Sequence, residues 1–280
     1  MITSTAFILV LGAALIHAIW NSFVKTAGKK SLFVFAYCVV HILVGILIGG
    51  FSLFPSWEAF PYIITSAIVH IFYYFFLYKS YIFGDLSEVY PLMRGMAPIL
   101  VTIGSFFLIG ELPISTGIFG IIFISSGIIL LSVHNFFFSF SLKAVLFAMV
   151  TGLCISIYSL LDGLGVRQTE EALSYISWLF IIEGIGGSIV FWIISKKENL
   201  KMDQRTLMFG FFGGILSCLA YGIVIYVKMN TQLGIVSSLR ETSVIFGSLI
   251  GIIIFKERPV RFRIFSALIV TIGLILISFS

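Results

Sequence analysis

The chain alternates long apolar runs with short polar interruptions. Runs of about 20 mostly apolar residues can carry a helix across the hydrocarbon of a bilayer. They fall at residues 4–24, 31–51, 61–83, 88–109, 113–133, 141–163, 172–194, 206–228, 232–255 and 261–279. The runs are too long for barrel strands and lack period-two alternation, so the pattern predicts helices, which satisfy their backbone polar groups internally. Turn and cap residues punctuate the runs at Thr26–Lys30, Pro55–Pro61, Gly84–Ser87, Glu111–Pro113 and Lys256–Pro259. The expected fold class is an all-α polytopic membrane protein: ten transmembrane helices in one compact bundle, with no soluble domain.

The stretch from Gly84 to Pro113 returns in altered form as Gln232 to Pro259. At an offset of 146 residues, Arg94, Glu111 and Pro113 fall on Arg240, Glu257 and Pro259, and Gly127 falls on Gly273. An offset of 147 pairs Tyr74 with Tyr221 and Leu86 with Leu233, and Trp20 lies opposite Tyr158 more weakly. The chain therefore divides into two five-helix repeats, residues 1–137 and 138–280. Five is odd, so the second repeat is expected to enter the membrane inverted, as in many secondary transporters with a substrate site near the midplane.

Composition agrees with this reading. Apolar residues make up 60% of the 280 and charged residues 10%, with a mean hydropathy of +1.15, far from a soluble domain. The net charge of +5 sits in short connections and does not point to nucleic acid. Cys38, Cys154 and Cys218 each lie inside an apolar run, which argues against a disulfide framework or a zinc site. No phosphate-binding or dinucleotide glycine motif occurs, and no cofactor or metal is expected. The first run lacks a basic leader and carries His17, Trp20 and Asn21, so it reads as a retained helix. Basic residues crowd the connections after odd-numbered runs, with Lys25, Lys29, Lys30, Lys79, Lys143, Lys196, Lys197, Lys201, Arg205, Lys256, Arg258, Arg261 and Arg263, against Arg167 and Lys228 after even-numbered ones. The positive-inside rule then places both termini outside a cell (inner) membrane.

Six segments together resemble the EamA family of the drug/metabolite transporter superfamily along essentially the whole chain. In the first half they are HAIWNSFVK at His17–Lys25, GDLSEVYPLMRGMAP at Gly84–Pro98 and GELP at Gly110–Pro113. In the second they are YSLLDGLGVR at Tyr158–Arg167, SLRETSV at Ser238–Val244 and KERP at Lys256–Pro259. The resemblance implies a ten-helix transporter with a central cavity between inverted halves. Some ten-helix relatives are drawn with cytoplasmic termini, opposite to the charge reading kept here.

Ionisable groups inside a span are costly and face a cavity or a partner. Arg94 and Arg240 occupy equivalent depths of the two repeats, and a pair of guanidinium forks suits a carboxylate or phosphonate. The competing reading is structural: Glu241 beside Arg240, or Glu88 below Arg94, would neutralise them, or both would snorkel to the interface. Pro91 and Pro98 interrupt the hydrogen bonding of the fourth run, and Pro98 frees the carbonyl of Arg94, so a kink is expected there and not in the ninth run. His17, Trp20 and Asn21 share one helix face, as do His70 with Tyr74 and Tyr158 with Asp162. With Tyr221 they are the expected cavity lining, although interhelical hydrogen bonds are the plainer use of such histidines. His41 and His134 read as structural. Glu183, mid-span, is the first proton-coupling candidate, with Glu241 and Asp162 behind it, because low dielectric favours a carboxyl's neutral form. The glycine runs at 45–49, 184–187, 210–214 and 247–251 read as close-packing surfaces.

The function expected is a secondary transporter, not an enzyme, for a small polar metabolite, anionic or zwitterionic, working as a monomer or homodimer in the lipid bilayer. Efflux of amphipathic toxic compounds is the alternative within the class. A membrane-embedded lipid-modifying enzyme is disfavoured, because the histidines are scattered without ligand spacing.

Overall fold

A computed structural model describes residues 2–27, 29–83, 86–136, 141–197, 203–254 and 260–280. The expected repeat boundary at 137–138, the turn residues Gly84 and Lys256–Pro259, and Lys201 lie outside the described residues, as do the side chains of Lys25, Glu88, His134, Lys197 and Arg261.

The described residues form helices α1 (Ser4–Thr26), α2 (Lys30–Gly49), α3 (Phe60–Phe83), α4 (Leu86–Ile109), α5 (Ser115–Phe136), α6 (Leu142–Val166), α7 (Ala172–Lys197), α8 (Gln204–Lys228), α9 (Leu233–Glu241), α10 (Ser243–Ile253) and α11 (Val260–Ser278). Each expected span is matched, the ninth by two helices in succession. Eight spans are long and apolar enough to cross a membrane, α9 and α10 together counting as one, and α5 and α11 carry shorter apolar stretches. Local chemistry sets several starts. Thr3 and Ser141 accept from the backbone N–H groups of Ala6 and Ala144 at the heads of α1 and α6. Asp203 does the same for Thr206 at the head of α8, where the Thr206 hydroxyl also donates to it and holds its carboxyl below the usual value.

The radial pattern is the reverse of a soluble protein. Phe107 and Ile253 are 78% and 74% exposed, while Arg94, Lys228 and Glu241 are buried. An apolar rim around a polar centre is the arrangement that lipid selects.

The halves meet in a reciprocal pattern. α3 packs on α6 while its counterpart α8 packs on α1; α2 meets α8 while α7 meets α3; α4 meets α6 while α9 and α10 meet α1. The self-paired contacts are α2 with α7, α5 with α11 and α4 with α9. Glycine permits the α2–α7 crossing. A Cβ on Gly45 would lie 2.7 Å from the carbonyl oxygen of Ser177, and one on Gly184 would lie 2.7 Å from that of Cys38. Gly247 has no such neighbour within 4 Å, so the close-packing expectation does not extend to it.

α4 runs as one helix through Pro91 and Pro98. A break between helices falls in the ninth span, at Thr242. There the Thr242 N–H bonds to the Leu239 carbonyl and the Ile245 N–H to the Thr242 carbonyl, both at i−3 spacing, and the Thr242 hydroxyl also donates to Leu239 O. Tightened i−3 bonds and a competing hydroxyl divide the helix without proline.

Candidate functional site

The break in the ninth span places Arg240 and Glu241 at the centre of the bundle, facing α4 and α1. The nearest partner of Glu241 is not its neighbour Arg240. Arg94 Nη1 donates to both carboxylate oxygens, at 3.0 and 3.2 Å, across the boundary between halves. Arg240 Nη1 stands 3.9 Å from Glu241 Oε1, and Arg240 Nη2 donates to the Tyr158 hydroxyl at 3.1 Å. Its guanidinium faces the rings of Tyr221 and Tyr158 at 4.9 and 5.6 Å, and that of Arg94 faces Tyr90 at 5.3 Å. Relative exposures of 1% for Arg94, 5% for Arg240 and 0% for Glu241 close the cluster to solvent.

Donor logic assigns His17. Arginine only donates, and Arg94 Nη2 lies 2.8 Å from His17 Nε2, so that nitrogen accepts and the ring is neutral with its proton on Nδ1. Two guanidinium groups and one carboxylate therefore leave one positive charge uncompensated. Asp162 and Lys228, also buried, offset each other formally. Arg94 Nε, Arg240 Nη1 and the Trp20 indole N–H have no hydrogen-bond acceptor among the described residues. Buried donors without acceptors are uncommon in native proteins.

Other expected residues join this centre or border it. Trp20 meets His17 edge-on at 5.0 Å. Asn21 donates to the Tyr90 hydroxyl at 3.3 Å. Asp162 accepts from Tyr175 at 3.0 Å and from Tyr221. Tyr74 sits further out, between Tyr37 and Phe191.

A second buried polar group lies beside the first. Glu183 Oε1 is 2.5 Å from His41 Nδ1, and Oε2 is 3.5 Å from His70 Nε2. The His70 ring stacks on Tyr158 at 4.0 Å, which joins the two groups. His41, read from sequence as structural, is thus a partner of Glu183. Among the described residues, no three His, Cys, Asp or Glu side chains converge as metal ligands.

Three further residues escaped the sequence reading. Lys228 counted as a loop charge, yet it is buried and donates to Ser159 O and Oγ at 2.8 and 2.7 Å; its place at the end of an apolar run hid this. Glu111 and Arg167 read as a turn residue and a loop charge. They pair at 2.9 Å, and Glu111 also accepts from the Leu233 N–H at the head of α9, 2.5 Å away. Arg167 completes the clasp by donating to Lys228 O and Thr231 O. The matching Glu257 lies outside the described residues.

No curated protein sequence matches this chain. One crystal structure superposes over 98% of this chain and 98% of its own with a TM-score of 0.79 at 15% identity, which shows a shared fold alone. The model of the EamA-like transporter family matches residues 142–279, the second five-helix half. With that match and ten apolar spans among the described residues, the chain belongs to the EamA-like transporter family, part of the drug/metabolite transporter superfamily, and is a multi-pass membrane protein.

Proposed function

We propose that the protein is a secondary transporter of a small anionic or zwitterionic metabolite, held between Arg94 and Arg240. The observation that carries this reading is the charge of the centre. Two buried guanidinium groups, one from each half, share a single carboxylate, and Arg94 Nε and Arg240 Nη1 have no acceptor among the described residues. A substrate carboxylate, phosphate or phosphonate supplies the missing charge and the missing acceptors together. Glu241 keeps the two cations together in the closed state, and Tyr158, Tyr221 and Trp20 form the walls. Both halves contribute to one site, so rocking residues 1–137 against 138–280 exposes it to each side in turn. The basic connections lie on the cytoplasmic side of the inner membrane. The burial of Lys228 removes one of the two opposing charges from that comparison.

A thermal-shift series on purified protein tests the reading with glycine, succinate, inorganic phosphate, methylphosphonate and tetraphenylphosphonium. Binding to the folded state alone adds about 2.7 kcal/mol at 100 times the dissociation constant. Stabilisation by an anion or zwitterion, lost in Arg240→Gln, is the expected result. Stabilisation by tetraphenylphosphonium alone sinks the anion site and favours efflux of amphipathic cations.

A further inference from the structure

The hydrogen-bond geometry of the second polar group says where it can hold a proton. His70 Nδ1 lies 2.9 Å from the backbone carbonyl oxygen of Ser66, which can only accept, so Nδ1 bears hydrogen. In a neutral His70 the other nitrogen, Nε2, then presents a lone pair. It faces Glu183 Oε2 at 3.5 Å, and an ionised carboxylate offers only lone pairs too. Two acceptors confront each other in a buried site unless a proton sits on one of them. On the other side, His41 Nδ1 donates to Oε1, and His41 Nε2 is buried with no partner among the described residues. A hydrogen on that nitrogen would be an orphaned donor, so His41 is neutral. The His41–Glu183–His70 triad thus carries zero net charge with one proton on the Oε2–Nε2 axis, and a charge of −1 without it. Tyr73, Tyr158 and Tyr221 face His70, and Arg240 lies beyond Tyr158. Around Glu183 stand Tyr37 and Cys38 from α2, Tyr74 from α3, Cys218 from α8 and Tyr175 within α7, with Asp162 of α6 behind Tyr175.

We propose that this triad is the coupling site of the transporter: it binds one proton, and the proton and the anionic substrate occupy the protein together. This rests on the anion site proposed above. The argument is one of charge. Arg94, Arg240 and Glu241 leave a charge of +1, and His70, stacked on the Tyr158 ring whose hydroxyl receives Arg240, ties the triad to that centre. A deprotonated triad supplies −1 and balances the centre, as a bound anion does. Both at once leave a net negative charge in a dry interior, which is costly. Anion binding therefore favours the protonated triad, and by reciprocity protonation favours the anion. The consequence is symport of a proton with the anion. The proton enters and leaves as a proton, on Glu183 Oε2 or His70 Nε2, and no bond other than to hydrogen changes. Glu241 and Asp162 are already engaged, by Arg94 and by two tyrosine hydroxyls.

The test uses full-length protein in detergent and weakly buffered solution with a pH-indicator dye, titrated with succinate, inorganic phosphate, methylphosphonate and glycine in turn. For whichever of the three anions binds, about one proton is taken up with it, and affinity falls by up to about tenfold per pH unit as pH rises; glycine, which brings no net charge, binds without proton uptake. Glu183→Gln, which holds a neutral amide in place of the carboxyl, binds the probe without proton uptake and with a flat pH profile. Anion binding with no proton uptake by the parental protein overturns the coupling and leaves the anion site standing. Should Glu183→Gln fail to fold, the parental stoichiometry decides. Should no probe bind, the anion reading fails, and infrared difference spectra of the parental protein between acid and alkaline buffer decide the proton site. A titrating carboxylic-acid or imidazole band that is lost in Glu183→Gln supports it, and the absence of both bands rejects it.

Discussion

At the scale of single residues, the informative fact is that Glu241 serves Arg94 before its own neighbour. Removing one partner of a buried ion pair strands the other charge and costs about 3–5 kcal/mol. Glu241→Gln, which strands both guanidinium groups, should therefore lower stability by about 3 kcal/mol in thermal or denaturant unfolding. Adding Arg94→Met should recover part of that loss, because one of the two stranded cations is gone. A double variant no more stable than Glu241→Gln alone would show that Arg94 acts through packing on Tyr90 rather than through charge. Sequence placed both arginines at one depth and named Glu241 as a possible partner for Arg240. It could not show the pairing across halves, since which carboxylate meets which guanidinium depends on how the two repeats dock.

At the scale of elements, two devices join the halves. One is the clasp of Glu111, Arg167 and the head of α9. Glu111→Gln keeps the shape, loses the charge on two contacts, and should destabilise by about 1 kcal/mol. In a background with Ile235→Cys, labelling of that buried position by a polar thiol reagent should quicken; unchanged labelling would mean the clasp does not keep this end closed. The other device is the glycine crossing of α2 and α7. Gly45→Ala forces its Cβ against backbone and should cost about 2 kcal/mol. Gly12→Ala, with nothing within 4 Å, should be neutral or gain up to about 0.8 kcal/mol. Equal thermal stability of the two variants would contradict the packing account. The span boundaries were legible because bilayer thickness dictates them. The division of the ninth span was not, since its cause is hydrogen bonding at Thr242, and threonine is common within unbroken helices.

At the scale of the molecule, the repeat was readable from Arg94, Tyr74 and their counterparts, and the reciprocal helix contacts follow from it. The Glu183 triad was half legible. Glu183 stood out as a lone carboxyl in an apolar run, but His41 and His70 lie on other helices at separations of more than 100 residues, which no local pattern reveals. Lys228 was hidden for a related reason, since its fate depends on Ser159 of another helix. The central claim concerns anion exchange between two arginines, and it is most directly tested by counterflow. Protein reconstituted in phosphatidylethanolamine–phosphatidylglycerol vesicles is loaded with unlabelled succinate, phosphate, methylphosphonate or glycine and diluted into the same labelled compound, with Arg94→Lys and Arg240→Lys in parallel. The account predicts exchange of at least one probe by the parental protein, and a rate about tenfold lower or less in each variant, because lysine keeps the charge but loses the fork. Parental rates in both variants, or exchange of none of these compounds while tetraphenylphosphonium is exchanged, would contradict it.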